Sequence, residues 1–147
     1  MKIKIIDTLY DIETRTSTVI INTDLGKFTG KAKLHEEDED IQSSFAGYNY
    51  AEARAVIKYM KTKAKNIGFQ IKGLKDCEQA MKNKKDYNHH SVEARTVRKQ
   101  IKILEAERNT WKERVKSLHQ KTYDQMSNRR KFLDDMIKHS KTKGDDK

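Results

Sequence analysis

Residues 21–34 read INTDLGKFTGKAKL, and this stretch decides how the N-terminal part of the chain folds. Thr23-Asp24-Leu25-Gly26 carries turn chemistry, and after it the residues alternate: Phe28, Gly30, Ala32 and Leu34 fall on one side, Lys27, Thr29, Lys31 and Lys33 on the other. A period of two is that of a strand with one covered face. Upstream, residues 15–22 (RTSTVIIN) and 2–12 (KIKIIDTLYDI) are rich in β-branched side chains and predict two further strands. Residues 1–34 therefore read as a three-stranded antiparallel sheet, with Val19, Ile21, Phe28 and Leu34 facing inward. Such a small sheet needs a cover to be stable, and the segment beyond it is expected to supply one.

After His35 the residues Glu36, Glu37, Asp38, Glu39 and Asp40 run without a break, and residues 35–49 read as an acidic loop. This run lacks the ligand spacing and the following Gly and Glu of a calcium-binding EF-hand, so a solvated loop is the expectation. From about Tyr50 the period becomes helical: Ala53, Val56, Met60, Ala64, Ile67, Ile71, Leu74, Glu78 and Met81 step by threes and fours through a helix at 50–83. Gly68 and Gly73 weaken it, and a break near Asn66-Ile67-Gly68 is conceivable. Residues 84–90 read as a loop, with Ser91 as the N-cap of a second helix at 91–139. That helix, about 70 Å long, carries a heptad seam of Ala94, Val97, Ile101, Leu104, Arg108, Trp111, Val115, Leu118 and Thr122. Continuing through Met126, Arg129, Leu133 and Met136 requires a four-residue stutter. Residues 140–147 are expected to fray. The fold class is α+β: one domain, 1–147, with a small N-terminal antiparallel sheet followed by a long antiparallel helical hairpin or coiled coil.

Composition agrees with elongated helices that bury one stripe each. Of 147 residues, 37% are charged and 35% hydrophobic, and proline is absent, so nothing forbids long helices. The apolar seam of the second helix exceeds what the sheet can cover, which predicts a homo-oligomer, a dimer or higher. No segment is long and apolar enough to cross a membrane, and the N-terminus is too polar for a signal peptide, so an intracellular, cytoplasmic protein is expected. The single cysteine, Cys77, rules out an internal disulfide; its apolar helical setting predicts a buried thiol.

The formal charge of +10 is unevenly placed. Residues 1–49 carry six Lys/Arg against nine Asp/Glu, and residues 50–147 carry 26 against 13. The basic field of the helical part would attract anions, whether nucleic acid, phosphorylated small molecules or an acidic protein. Lys27, Lys31 and Lys33 line one sheet face around Thr29, about 6–7 Å apart, with Gly26 and Gly30 offering an approach to the backbone. The plain alternative is a solvent face that protects a strand edge. On the helices, Arg54, Arg95 and Arg98 carry the planar fork that suits phosphate. Arg108 and Arg129 lie on the apolar seam, where a cation needs a partner, either a bound anion or a carboxylate such as Glu105 or Glu107 of another chain. Trp111 is expected to pack rather than to stack a base. His89 and His90 beside Asp86 lack a further ligand, so no metal and no cofactor is expected. No nucleophile–base pairing has supporting context, which points to a binding protein rather than an enzyme.

A resemblance sharpens the ligand class. IINTDLGKFTGKAKLHEEDED followed by SSFAGYNYAEARAVIKYMK, together residues 20–61 apart from two, carries the pattern G-x-F-x-G-x-A-x-L-H, an acidic clause, then a glycine and A-E-x-R-A-x-I-K-Y. This resembles small proteins of phages that infect Gram-positive bacteria, most specifically the phage anti-Thoeris family that sequesters cyclic ADP-ribose-type signals. The resemblance implies a non-catalytic, oligomeric sponge with a small sheet and long helices that bury a nucleotide. It implies that Gly26, Phe28, Gly30 and His35 lie near a binding surface and that Arg54 faces ligand phosphate. Two other functions stay open: an anti-CRISPR-like inhibitor acting through protein or RNA, and a basic coiled coil that binds nucleic acid.

Overall fold

The computed structural model describes residues 3–33 and 44–145, with side chains for 3–33, 47–128, 131, 135 and 138. Three strands, β1 (Lys4–Asp11), β2 (Thr16–Thr23) and β3 (Gly26–Lys33), precede two helices, α1 (Ser44–Lys82) and α2 (Val92–Asp145). The class is α+β: an antiparallel sheet of order β1-β2-β3 followed by a helical hairpin. Two compact units form, Met1–Lys58 with Ser117–Lys147, and Tyr59–Lys116.

In the first unit the β2–β3 hairpin turns where the sequence marks it. Gly26 adopts φ 105°, the left-handed region that favours glycine. Thr23 secures the turn: its Oγ1 donates to the Gly26 carbonyl at 2.8 Å and accepts from the Leu25 amide at 3.1 Å. The ladder then places Ile21 opposite Phe28, Val19 opposite Gly30 and Ser17 opposite Ala32 on one face. Val19, Ile21, Ser17 and Ala32 are buried, and Phe28 is half-buried. Covering Val19 and Ile21 contributes about 1.5–3 kcal/mol each.

The cover is the start of α1, and small residues bring it close. A Cβ placed on Gly30 would lie 1.8 Å from the Ala51 carbonyl oxygen and 2.6 Å from the Ala55 nitrogen. One placed on Gly47 would lie 2.5 Å from Ser17 Oγ. Gly47, Ala51 and Ala55 recur at i, i+4 and form the stripe laid on the sheet. Two expectations change here. The helix begins at Ser44, six residues before Tyr50, so residues 44–49 leave the loop. Ala51 and Ala55 are fully buried, whereas Ala53 and Val56 are only half-buried. Alanines add little apolar signal, yet only small side chains permit this approach.

In the second unit the seam holds. Tyr59, Met60, Ala64, Ile67 and Ile71 of α1 and Ala94, Ile101 and Trp111 of α2 are its buried apolar residues. Trp111 packs edge-on against Tyr59, with ring centroids 6.0 Å apart at 85°. Lys75 meets Glu105 across the hairpin at 3.4 Å. The chain's own α1 thus covers part of the α2 seam, with Trp111 packed on Tyr59. Gly68 and Gly73 do not interrupt α1, which runs unbroken from Ser44 to Lys82. Ser91 caps α2 as expected, accepting from the Ala94 amide at 3.2 Å. The helix runs on to Asp145, so residues 140–145 are helical rather than frayed. Cys77 is exposed, not buried, because the neighbouring Glu78 takes the seam position. Met126 is 40% exposed; side chains of Arg129, Leu133 and Met136 lie outside the described residues.

Candidate functional site

The strand residues singled out in the sequence divide between two faces. Phe28 and Gly30 point inward, and the space at Gly30 is taken by the α1 backbone. Lys27, Lys31 and Lys33 are exposed on the opposite face, around a half-buried Thr29. Across that face the register sets Lys27 beside Asn22, Thr29 beside Ile20, Lys31 beside Thr18 and Lys33 beside Thr16. The next row, on β1, brings Lys4, Asp7, Leu9 and Asp11. The lysine strand therefore shares its face with two carboxylates, which reduces the field it presents to an anion. Leu34, His35 and the acidic run Glu36–Asp40 lie outside the described residues.

Arg54 has a defined partner. Its Nη1 donates to the Lys31 carbonyl, and Lys58 Nζ donates to the Thr29 carbonyl at 2.7 Å. The match is geometric: an i, i+4 pair on a helix spans about 6 Å, and an i, i+2 pair on a strand about 6.6 Å. Two exposed cations of α1 thus cap outward carbonyls of the edge strand β3. Arg54 and Lys31 come together, through backbone rather than through a shared pocket.

Arg95 and Arg98 belong to the helical unit. Arg95 is exposed. Arg98 clamps the interhelical loop: Nη2 donates to the His89 carbonyl at 2.6 Å and Nη1 to His89 Nδ1 at 3.0 Å. A guanidinium has no acceptor, so Nδ1 is the unprotonated ring nitrogen and the proton sits on Nε2. The Arg98 charge lowers the His89 pKa below its ordinary value, with smaller contributions from desolvation and from His90 and Lys82. Among the described residues no group of His, Cys, Asp and Glu is placed to hold a metal ion.

A further group of basic residues lies elsewhere on the same hairpin. Lys61, Ala64, Lys65 and Gly68 of α1 and Arg108, Lys112 and Val115 of α2 line a groove of about 440 Å³. Lys61 and Lys65 are i, i+4 on one helix, Arg108 and Lys112 on the other, so each helix presents two cations on one face. The floor is Ala64, Gly68 and Val115. The Arg108 side chain passes close to Gly68, its Nη1 at ordinary contact distance, 3.8 Å, from where a Cβ would stand. Arg108 Nε is shut off from solvent and meets no hydrogen-bond acceptor among the described residues. Leaving a buried donor unmet costs about 1–3 kcal/mol, more when it is charged. Glu105 is held by Lys75. Four basic side chains and no acidic one line this groove, largely through their aliphatic stems, and Lys65 Nζ lies over the Phe69 ring, 5.9 Å from its centroid. The volume is of a size that accepts a small ligand.

Of these residues only Arg108 stands out in the sequence, from its place on the apolar seam. The i, i+4 spacing of Lys61/Lys65 and Arg108/Lys112 was a readable signal, but which pair faces which depends on the hairpin register. Among the described residues no helix is long and apolar enough to cross a membrane. Compared with protein-family models, with curated proteins and with solved structures, the chain matches none.

Proposed function

We propose that the protein is a non-catalytic sponge that binds a phosphate-bearing nucleotide in the cationic groove and withholds it from its receptor. The observation that carries this reading is Arg108: a buried Nε without an acceptor among the described residues, set among Lys61, Lys65 and Lys112. Turning the Arg108 side chain toward the groove would let a phosphate oxygen accept from Nε and satisfy that donor, and the lysines would neutralise the remaining charge. The resemblance of residues 20–61 supplies the finer identity: a phage-encoded anti-defence protein, acting in the cytoplasm of the infected bacterium on a cyclic ADP-ribose-type signal. In this reading the protein works as a homo-oligomer and without a cofactor.

Titration calorimetry with cyclic ADP-ribose tests it, followed by heat denaturation and mass spectrometry of the released ligand. The expected result is saturable binding and intact ligand on release. A charge-assisted hydrogen bond contributes about 1.5–3 kcal/mol, so Arg108→Met should weaken binding about ten- to a hundredfold. A hydrolysed or linearised product would show an enzyme, and unchanged affinity in the variant would remove the groove from the reading. The second reading, nucleic-acid binding, is favoured by the excess of 26 Lys/Arg over 13 Asp/Glu in residues 50–147. Duplex binding should fall by orders of magnitude between about 50 and 200 mM salt, whereas a small ligand in the groove should lose far less.

A further inference from the structure

The two edges of the sheet are treated differently. On β3, Arg54 and Lys58 occupy outward carbonyls. On the other edge, β1 makes its ladder with β2, and every residue from Lys4 to Asp11 except Tyr10 is exposed. Among them are Ile5 at 45%, Ile6 at 42% and Leu9 at 51%. A long edge strand with exposed apolar side chains is a template for pairing with another strand.

What pairs with it follows from the order of charges. The register shifts between Ile5 and Asp7, so Ile6 is an extra residue in the ladder. That bulge reverses the parity of the strand. Lys4, Asp7, Leu9 and Asp11 all lie on the open face, and Ile5, Thr8 and Tyr10 on the other. Counted this way, β1 is self-complementary when turned about Thr8. Lys4 comes opposite Asp11 at both ends, Ile5 opposite Tyr10, Asp7 opposite Leu9, and Thr8 opposite its own copy. Shifting the centre to Leu9 sets Asp7 against Asp11 twice. Shifting it to Asp7 sets that carboxylate against itself. Like charges directly opposed are destabilising and opposite charges stabilising, so charge selects the Thr8-centred register.

We propose that β1 pairs antiparallel with β1 of a second copy about a two-fold axis at Thr8, joining two sheets into one of six strands. Pairing here also suits the global charge. Two copies at +10 repel one another, but β1 itself carries one lysine, Lys4, against two carboxylates, Asp7 and Asp11, so the strands that meet are not the basic part. The interface is isologous, each strand meeting its own image. The inference is independent of the nucleotide reading.

Sedimentation at micromolar concentration tests it. The expected mass is twice 17.2 kDa. Lys4→Asp alone and Asp11→Lys alone each convert two attractive pairs into two repulsive ones, and each should weaken the dimer about ten- to thirtyfold. An equimolar mixture of the two single variants should associate again, because each Asp of one chain then faces a Lys of the other. The double variant Lys4→Asp/Asp11→Lys should regain the dimer. Asp11 Oδ1 also accepts from the Glu13 amide at 2.9 Å and the Thr14 amide at 3.3 Å in the β1–β2 turn, so circular dichroism checks that every variant is folded. In a Cys77→Ser background, Thr8→Cys should cross-link two copies on oxidation. A wild-type mass of 17.2 kDa overturns the proposal. So does a dimer that neither single variant weakens, or a mixture that stays apart.

Discussion

Arg108→Met separates stability from binding, because the groove makes the two respond in opposite directions. In the ligand-free protein Arg108 Nε is buried without an acceptor among the described residues, and Lys112 stands one helical turn away. The unmet donor costs about 1–3 kcal/mol, and a like-charge i, i+4 pair adds about 0.2–0.5 kcal/mol. Methionine keeps most of the aliphatic stem that packs in the seam and removes both penalties. Arg108 as a whole is half-buried, so part of its charge is solvated, and a net gain of about 1–2 kcal/mol is the reasonable expectation. At about 2–4 °C per kcal/mol for a chain of this size, Tm should rise by several degrees. The assay is a thermal melt followed by circular dichroism, in buffer free of phosphate and sulfate. Adding a saturating phosphorylated ligand reverses the order: at a hundredfold excess over Kd the wild type gains about 2.7 kcal/mol, and the variant much less. If the variant melts lower than wild type without ligand, Arg108 is satisfied in the free protein and the groove is not poised for an anion. Equal ligand-induced shifts in both proteins would also refute the anion site.

Four further outcomes follow from particular surroundings. Gly30→Ala forces its Cβ against α1 backbone atoms that cannot step aside, and urea denaturation should show a loss of about 1–3 kcal/mol or more. Gly73→Ala, which meets nothing within 4 Å, should instead gain about 0.5–1 kcal/mol. Ser91→Ala removes the cap of α2 and should cost about 1 kcal/mol in the same assay. His89 should titrate below 6.5 by NMR, and Arg98→Ala should return it toward that value. Since the folded protein binds this proton less readily than the unfolded chain, the contribution of the clamp to stability is complete above about pH 6.5 and fades as pH falls through the lowered value. A His89 pKa that does not respond to Arg98→Ala would show the clamp absent in solution.

Much of the architecture is legible in the residues because burial imposes a period. Phe28, Gly30 and Ala32 alternate with Lys27, Thr29 and Lys31 because one face of β3 is covered, and Ala94 to Thr122 step by threes and fours because one stripe of α2 is. The beginning of α1 is not legible. Ser44 and Gly47 carry loop chemistry, and Gly47 is tolerated in a helix because Ser17 of β2 occupies the space where its side chain would be. The groove was half legible: Arg108 stands out on an apolar seam, but Lys61, Lys65 and Lys112 resemble any solvated lysines until the hairpin register sets them around it. Arg54 shows the converse. Its motif context suggested phosphate, and its partner in the fold is a strand carbonyl.

The caps that Arg54 and Lys58 place on β3 bear on how many copies an assembly can hold. A sheet with two open edges has no reason to stop: each added copy exposes another edge, and the product is a filament. Closing one edge per chain leaves a single valence, which a symmetric partner consumes completely. Two side chains on the outside of a helix would then act as a chain terminator, setting the stoichiometry at two without touching the surface where the copies meet. Arg54→Ala with Lys58→Ala would restore the second valence, and light scattering that rises with concentration beyond the dimer would report it.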